Sequence, residues 1–163
     1  MNKKHLYNSG IIGNCNFIAH VHKSTNINWL CWPTFEDSFV FGCLLDTEKG
    51  GEFNIKLDDS HITSNQYYLE NTNILVTEVS GEHSGFRVID FAPRFVQYDR
   101  YYKPLMLIRI VEPLYGNPSV RVNCNPKANY GKDDYQRSRG SNHIHFQHAE
   151  EHMRLTTNIP ISH

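Results

Sequence analysis

Two groups of side chains have the types and spacing that could do chemistry. The first is Trp32-Pro33-Thr34-Phe35-Glu36-Asp37, two large aromatics and two carboxylates around a proline. Aromatic faces pack on the C–H surfaces of sugars and carboxylates accept hydrogen bonds from sugar hydroxyls. The composition of Trp32, Pro33, Phe35, Glu36 and Asp37 is therefore chemically apt for contact with a sugar. Covering the end of a β-sandwich core is the simpler use of aromatics beside a proline. The second group is His143-x-His145, with His148 and His152 beyond, within a chain of ten histidines. Histidines two apart on a strand share a face, as metal ligands must. No third ligand stands at a suitable spacing, and Glu150-Glu151 reads as a solvated turn. No metal and no other cofactor is expected, and His143 and His145 are the residues to watch if one binds. His20 and His22 form a similar same-face pair without a visible partner.

Paired carboxylates occur at Asp58-Asp59 and Asp133-Asp134. Both lie in polar turn sequence with no apolar wall to shift a pKa, so both pairs are expected to be solvated. Asp90 differs, because it stands between Ile89 and Phe91 in an apolar run. A buried, hydrogen-bonded structural carboxylate is expected there. Glycine-rich phosphate loops, a nucleophile elbow and a Cys-His pairing are absent.

The elements that must carry these groups read as strands. Phe17, Ala19 and Val21 alternate with Ile18, His20 and His22, and Ile27, Trp29 and Cys31 resume the alternation after Lys23-Ser24-Thr25-Asn26, which predicts an antiparallel hairpin. Pro33 takes the chain out of the sheet, Ser38 is placed to cap a short helical turn, and Phe39 to Leu45 is apolar enough to be buried. Further strands are predicted at 53–57, 74–79, 86–91, 106–111, 120–124, 143–146 and 153–157. Turn chemistry separates them at Asp58-Asp59-Ser60, Ser80-Gly81-Glu82, Glu112-Pro113, Tyr115-Gly116-Asn117-Pro118 and Tyr130-Gly131-Lys132-Asp133. The polar stretch from Gln136 to Asn142 reads as a mobile loop. No segment keeps a helical apolar period over three turns, so the expected architecture is all-β, an antiparallel sandwich. The ending at Ile161-Ser162-His163 supplies no closing strand, so an exposed sheet edge and self-association through it are expected.

Composition narrows the partners. The 163 residues carry 16 Lys and Arg against 17 Asp and Glu, a formal charge of -1, with the basic residues scattered singly. That distribution argues against nucleic-acid binding. One domain with a genuine core fits this length. Cys15, Cys31, Cys43 and Cys124 form no close ligand pair and read as free thiols, mostly buried. Lys3 and Lys4 are followed by Asn8, Ser9, Gly10, Gly13 and Asn14, which interrupt any apolar run, so neither a signal peptide nor a membrane span is read. A cytoplasmic location is the expectation.

Gly13-Asn14-Cys15, Asn28-Trp29-Leu30-Cys31-Trp32-Pro33 and Phe39 to Leu45 together resemble the N-terminal domain of bacterial and archaeal glucoamylase-like and trehalase-like enzymes, glycoside hydrolase family 15. Tyr68 to Leu75 is similar to an extended strand of that family, Val88-Ile89-Asp90-Phe91-Ala92-Pro93 to its Val-x-Asp-Phe-x-Pro element, and Leu107 to Glu112 to its Arg-Ile-Val strand. Val120-Arg121-Val122, Pro126 and Tyr130-Gly131 complete the order. Departures fall at Asn14, at Thr25-Asn26 and at Thr34-Phe35-Glu36-Asp37, where the family usually has Asp, Asp-Gly and Arg-Phe-Asp-Ser. The resemblance implies a mutarotase-like super-sandwich placed before a helical α/α-toroid that carries the catalytic acid and base. Residues 1–163 are then the leading part of that sandwich, incomplete at its C-terminal end and inactive alone. The resemblance implies that they support the active site of the catalytic domain of the same polypeptide, with carbohydrate as the ligand, and that Trp32, Pro33, Phe35, Glu36 and Asp37 form a loop reaching that domain or the rim of its sugar pocket. A free-standing carbohydrate-binding module and a cupin-like metal-binding module are the alternatives.

Overall fold

The computed structural model describes residues 8–161; Lys3, Lys4 and the Ser162-His163 end lie outside the described residues. In chain order the strands are β1 (Ser9–Gly13), β2 (Ile18–His22), β3 (Ile27–Cys31), β4 (Phe39–Phe41), β5 (Glu52–Leu57), β6 (Thr63–Tyr68), β7 (Leu75–Ser80), β8 (Gly85–Phe91) and β9 (Phe95–Gln97). They continue with β10 (Arg100–Tyr102), β11 (Ile108–Tyr115), β12 (Val120–Asn125), β13 (Lys127–Ala128), β14 (Asp133–Asp134), β15 (Gln136–Arg139), β16 (His143–His148) and β17 (Glu151–Thr156).

Two antiparallel sheets make the sandwich. One runs β1-β2-β3-β5-β12 with β4 also on β3, and the other runs β11-β8-β7-β6. The alternation read from the sequence is what builds the interface: Phe17, Ala19, Val21 and Ile27 are fully buried, while His20 and His22 face outward and are half-buried. Ile55 and Leu57 of β5 pack on Val79, Phe86 and Val88 of the second sheet. A separate sheet, β15-β16-β17, lays Ile144, Phe146, Met153 and Leu155 against the main core together with Tyr135 and Trp32. The all-β sandwich expected from the sequence is the observed fold.

Several local expectations are corrected. Gln136–Arg139 is strand β15, paired with β16, and not a loop; its side chains are all exposed, which is why it carries no apolar signal. Ser38 precedes strand β4 and caps no helix. Glu112-Pro113 lies inside β11 with a register shift after Pro113, which an edge strand tolerates because its outer face needs no donor. Residues 69–74, within the expected extended stretch from Tyr68 to Leu75, form the β6–β7 connection.

The two lateral sides of the sandwich differ. On one, the Tyr68 hydroxyl accepts from the Ile11 amide at 2.7 Å and donates to the Ile11 carbonyl at 2.8 Å, and Gln66 Nε2 donates to the Val21 carbonyl at 3.2 Å. The Tyr68 contacts join the edge strands β1 and β6 of that side, whereas β12 and β11 are the edge strands of the other. Register with the buried residues of β5 and β8 puts Val120, Val122 and Val111 on the inward faces, yet they remain 37%, 47% and 39% exposed.

Candidate functional site

The aromatic loop leaves β3 through a cis Trp32-Pro33 bond and is closed by its own polar groups. Asp37 Oδ2 accepts from the Thr34 amide at 2.9 Å and from the Thr34 hydroxyl at 2.7 Å, and the Trp32 amide donates to the Ser38 carbonyl at 3.3 Å. The structure gives the five candidate residues three different positions. Trp32 is half-buried and tilts against Phe17, ring centroids 4.9 Å apart, so it belongs to the core margin. Asp37 braces the loop. Pro33, Phe35 and Glu36 are exposed, with Phe35 at 52% forming the accessible tip. Burial, and secondarily the Asp37 carboxylate, raises the Cys31 thiol pKa behind the loop.

The His143 and His145 rings meet edge to face, centroids 4.8 Å apart. Arg154 stands opposite His145 on β17, and desolvation followed by the charge of Arg154 lowers the His143 pKa. A cation would face the same guanidinium. Among the described residues no three His, Cys, Asp or Glu side chains come together to hold a metal. His148 reaches Asp133 at 3.3 Å instead, and His22 Nδ1 accepts from the Ser24 amide at 3.2 Å.

Of the carboxylates, Asp59 is a correction. It is not solvated: its side chain is 6% exposed and accepts from the Ser60, His83 and Ser84 amides, the Ser84 hydroxyl and the His83 ring. Those donors, the Ser60 amide first, hold its carboxyl well below the usual range. Asp134 pairs with Lys127 at 2.5 Å.

Asp90 is fully buried, as its apolar neighbours implied. The Arg109 fork grips it, Nε to Oδ1 at 2.8 Å and Nη2 to Oδ2 at 3.2 Å. Arg109 also donates to the Phe53 carbonyl at 2.9 Å and to the Thr25 carbonyl, and its guanidinium lies 4.7 Å from the Phe53 ring centroid. Thr25, in the hairpin turn with φ +67°, is itself buried and bonds both the amide and the carbonyl of Ile55 through its hydroxyl. The pair thus ties one sheet to the other and serves architecture.

Two surfaces escaped the sequence reading. The β9–β10 hairpin exposes Phe95, Val96, Tyr98, Tyr101 and Tyr102. Its base is held by Asn14, whose Nδ2 donates to the Pro93 carbonyl at 3.0 Å and the Pro104 carbonyl at 2.8 Å. The dense Phe-Val-Gln-Tyr-Asp-Arg-Tyr-Tyr composition could have flagged it. The second is a cleft of about 470 Å³ lined by Phe39, Asp46, Lys49, Gly50, Tyr130, Gly131 and Lys132.

An antiparallel sandwich with a buried Asp90–Arg109 pair tying its sheets and exposed aromatics at Phe35 and on the β9–β10 hairpin defines an all-β module. The particular family follows from comparison with known proteins: residues 3–159 match the family described as "Trehalase-like, N-terminal", and the chain belongs to it. It is similar to a protein named "Trehalase" of Thermoplasma volcanium, 31% identical over 154 residues, covering 93% of this chain and 24% of that protein. It is also similar to a "Trehalase" of Thermoplasma acidophilum, 32% identical over 137 residues, covering 83% of this chain and 23% of that protein. The chain thus spans about a quarter of the length of the curated relatives it matches. No solved structure matches it. No helix among the described residues is long and apolar enough to cross a membrane.

Proposed function

We propose that this chain is the non-catalytic N-terminal domain of a glycoside hydrolase acting on α-linked glucose, of the trehalase-like or glucoamylase-like kind. It supports the active site of a following helical domain, and Phe35 and Glu36 at the loop tip edge that site. The observation that carries the reading is the unfinished lateral side, where Val111, Val120 and Val122 point inward from two edge strands and stay uncovered. An inward-facing apolar strip between two free edges suits further polypeptide seated there. The relatives' names and their greater length support the same reading.

The test is hydrolysis of trehalose, maltose and longer α-glucans by the natural polypeptide that carries this sequence, with Phe35→Ala beside the unaltered protein. The expected result is α-glucoside hydrolysis whose KM rises in the variant while thermal stability stays within about 0.5 kcal/mol, as for an exposed side chain. An unchanged KM removes the loop from the substrate rim, and no α-glucoside hydrolysis removes the assignment.

A further inference from the structure

The cleft beside Phe39 and Tyr130 is built from backbone that is unusually constrained. Asn129, Tyr130 and Gly131 follow one another with φ +48°, +56° and +81°. A bulky side chain rarely adopts this left-handed region, and such conformations persist where surrounding structure enforces them, often at ligand sites. Here they hold Tyr130 61% exposed, in a T-shaped contact with Phe39 at a centroid distance of 6.0 Å, with Phe39 in turn packed on Trp29 at 5.6 Å. The opposite wall is equally fixed. Gly42 and Gly50 approach so closely that a Cβ on Gly50 would lie 2.3 Å from the Gly42 carbonyl carbon, and the Gly42 amide donates to the Gly50 carbonyl at 2.6 Å. Gly131 packs on that wall, its own Cβ position lying 2.9 Å from the Lys49 carbonyl oxygen.

The cleft offers mixed hydrogen-bonding groups beside the aromatic plate. Asp46 Oδ1 accepts from the Glu48 and Lys49 amides, both at 2.9 Å, which leaves Oδ2 for a ligand. These amides, Lys49 first, lower its pKa, so it is an acceptor at neutral pH. Neither Lys49 nor Lys132 has an ion-pair partner among the described residues, so both ammonium groups remain available as donors. A volume of about 470 Å³ lies in the range of small-molecule sites. An exposed tyrosine ring lining the same wide and shallow cleft as a carboxylate and two ammonium groups matches the alternating C–H and hydroxyl surface of a sugar ring.

We infer that this cleft is a carbohydrate-binding site, separate from the Trp32–Asp37 loop, that stacks a glucosyl ring on Tyr130 and holds its hydroxyls with Asp46, Lys49 and Lys132. The choice of glucosides as ligand rests on the function proposed above; the location rests on the cleft alone. The site would keep glucan or disaccharide on the domain without taking part in bond cleavage.

The experiment is titration of the full chain with maltose and with trehalose, followed through backbone amide shifts, on the unaltered protein and on Tyr130→Asn, Asp46→Asn and Phe35→Ala. Asn tolerates the left-handed conformation and Asn at 46 keeps the Oδ1 acceptor, so neither substitution should unfold the chain. The expected result is saturable shifts at Lys49, Gly50, Gly131 and Lys132, weakened about tenfold by Tyr130→Asn and measurably by Asp46→Asn, and indifferent to Phe35→Ala. Unchanged affinity in Tyr130→Asn overturns the site. Shifts confined to residues 32–37 and lost in Phe35→Ala also overturn it, while leaving the glucoside reading standing. Shifts given by inorganic phosphate but by neither sugar would make the cleft an anion site and overturn the carbohydrate assignment. No shift with any of these probes overturns it as well, and hydrolysis by the natural polypeptide decides the broader function independently.

Discussion

Arg109→Met gives the sharpest test of how the sandwich is held together. The substitution leaves Asp90, which is fully buried, with no guanidinium, and it frees the Phe53 and Thr25 carbonyls of the donors that now satisfy them. Removing one partner of a buried ion pair costs about 3–5 kcal/mol, because the remaining charge stays desolvated. For a chain of this size each kcal/mol lowers Tm by about 2–4 °C, so a fall of roughly 6–20 °C follows. Thermal melts read by tryptophan fluorescence measure the fall and urea unfolding the free-energy loss, since Trp29 and Trp32 lie in and just after β3. The double variant Asp90→Leu with Arg109→Met removes both charges and should be more stable than Arg109→Met alone. A single variant that loses less than about 1 kcal/mol, or a double variant that is less stable than the single, would refute the argument.

Other consequences can be measured on the same material. Asp59 has its folded-state pKa below the unfolded value of about 3.9, so the native state binds fewer protons and stability falls as pH drops below about 4. Asp59→Asn should flatten that acid limb in thermal melts taken between pH 5 and pH 2.5. Cys15 is exposed, whereas burial pushes the Cys124 thiol up to about 12 against the opposing charges of Arg109 and Arg137. A thiol-disulfide reagent at pH 8 should therefore label Cys15 first and Cys124 last, with mass mapping as the readout. Association through the uncovered β12 edge is expected to show as a concentration-dependent sedimentation coefficient, and Val122→Lys, at the inward position on β12, should reduce it, because an edge lysine disfavours strand pairing.

What could be read from the sequence was what strand periodicity and burial dictate locally. The alternation of Phe17, Ala19 and Val21 located the first hairpin, and the apolar flanks of Asp90 announced a buried carboxylate. Strands without an apolar face were invisible. Thr63–Tyr68 and Gln136–Arg139 are edge strands of polar sequence, stabilised by pairing rather than by alternation. Proline in Glu112-Pro113 read as a break because its tolerance depends on which side of the sheet has no neighbour. Asp59 read as solvated because its donors at His83 and Ser84 stand 24 and 25 residues away. The five residues of the aromatic loop were found as a group, but only the fold could divide the packed Trp32 from the exposed Phe35. The Tyr130 cleft depends on three consecutive left-handed residues, which the expected Tyr130-Gly131 turn only hinted at.

The contrast between the two lateral sides gives the domain a direction. On β1 the Ile11 amide and carbonyl are both engaged by Tyr68, and the Gly13 carbonyl accepts from Asn73 Nδ2 at 2.6 Å. These are the outward-facing edge groups that a new strand would need, and they are already taken by side chains. A strand adding at β1 would have to displace these side chains before it could pair. Tyr68 and Asn73 thus work as fitted covers on one edge of the first sheet, trading side-chain hydrogen bonds for the strand that would otherwise dock there.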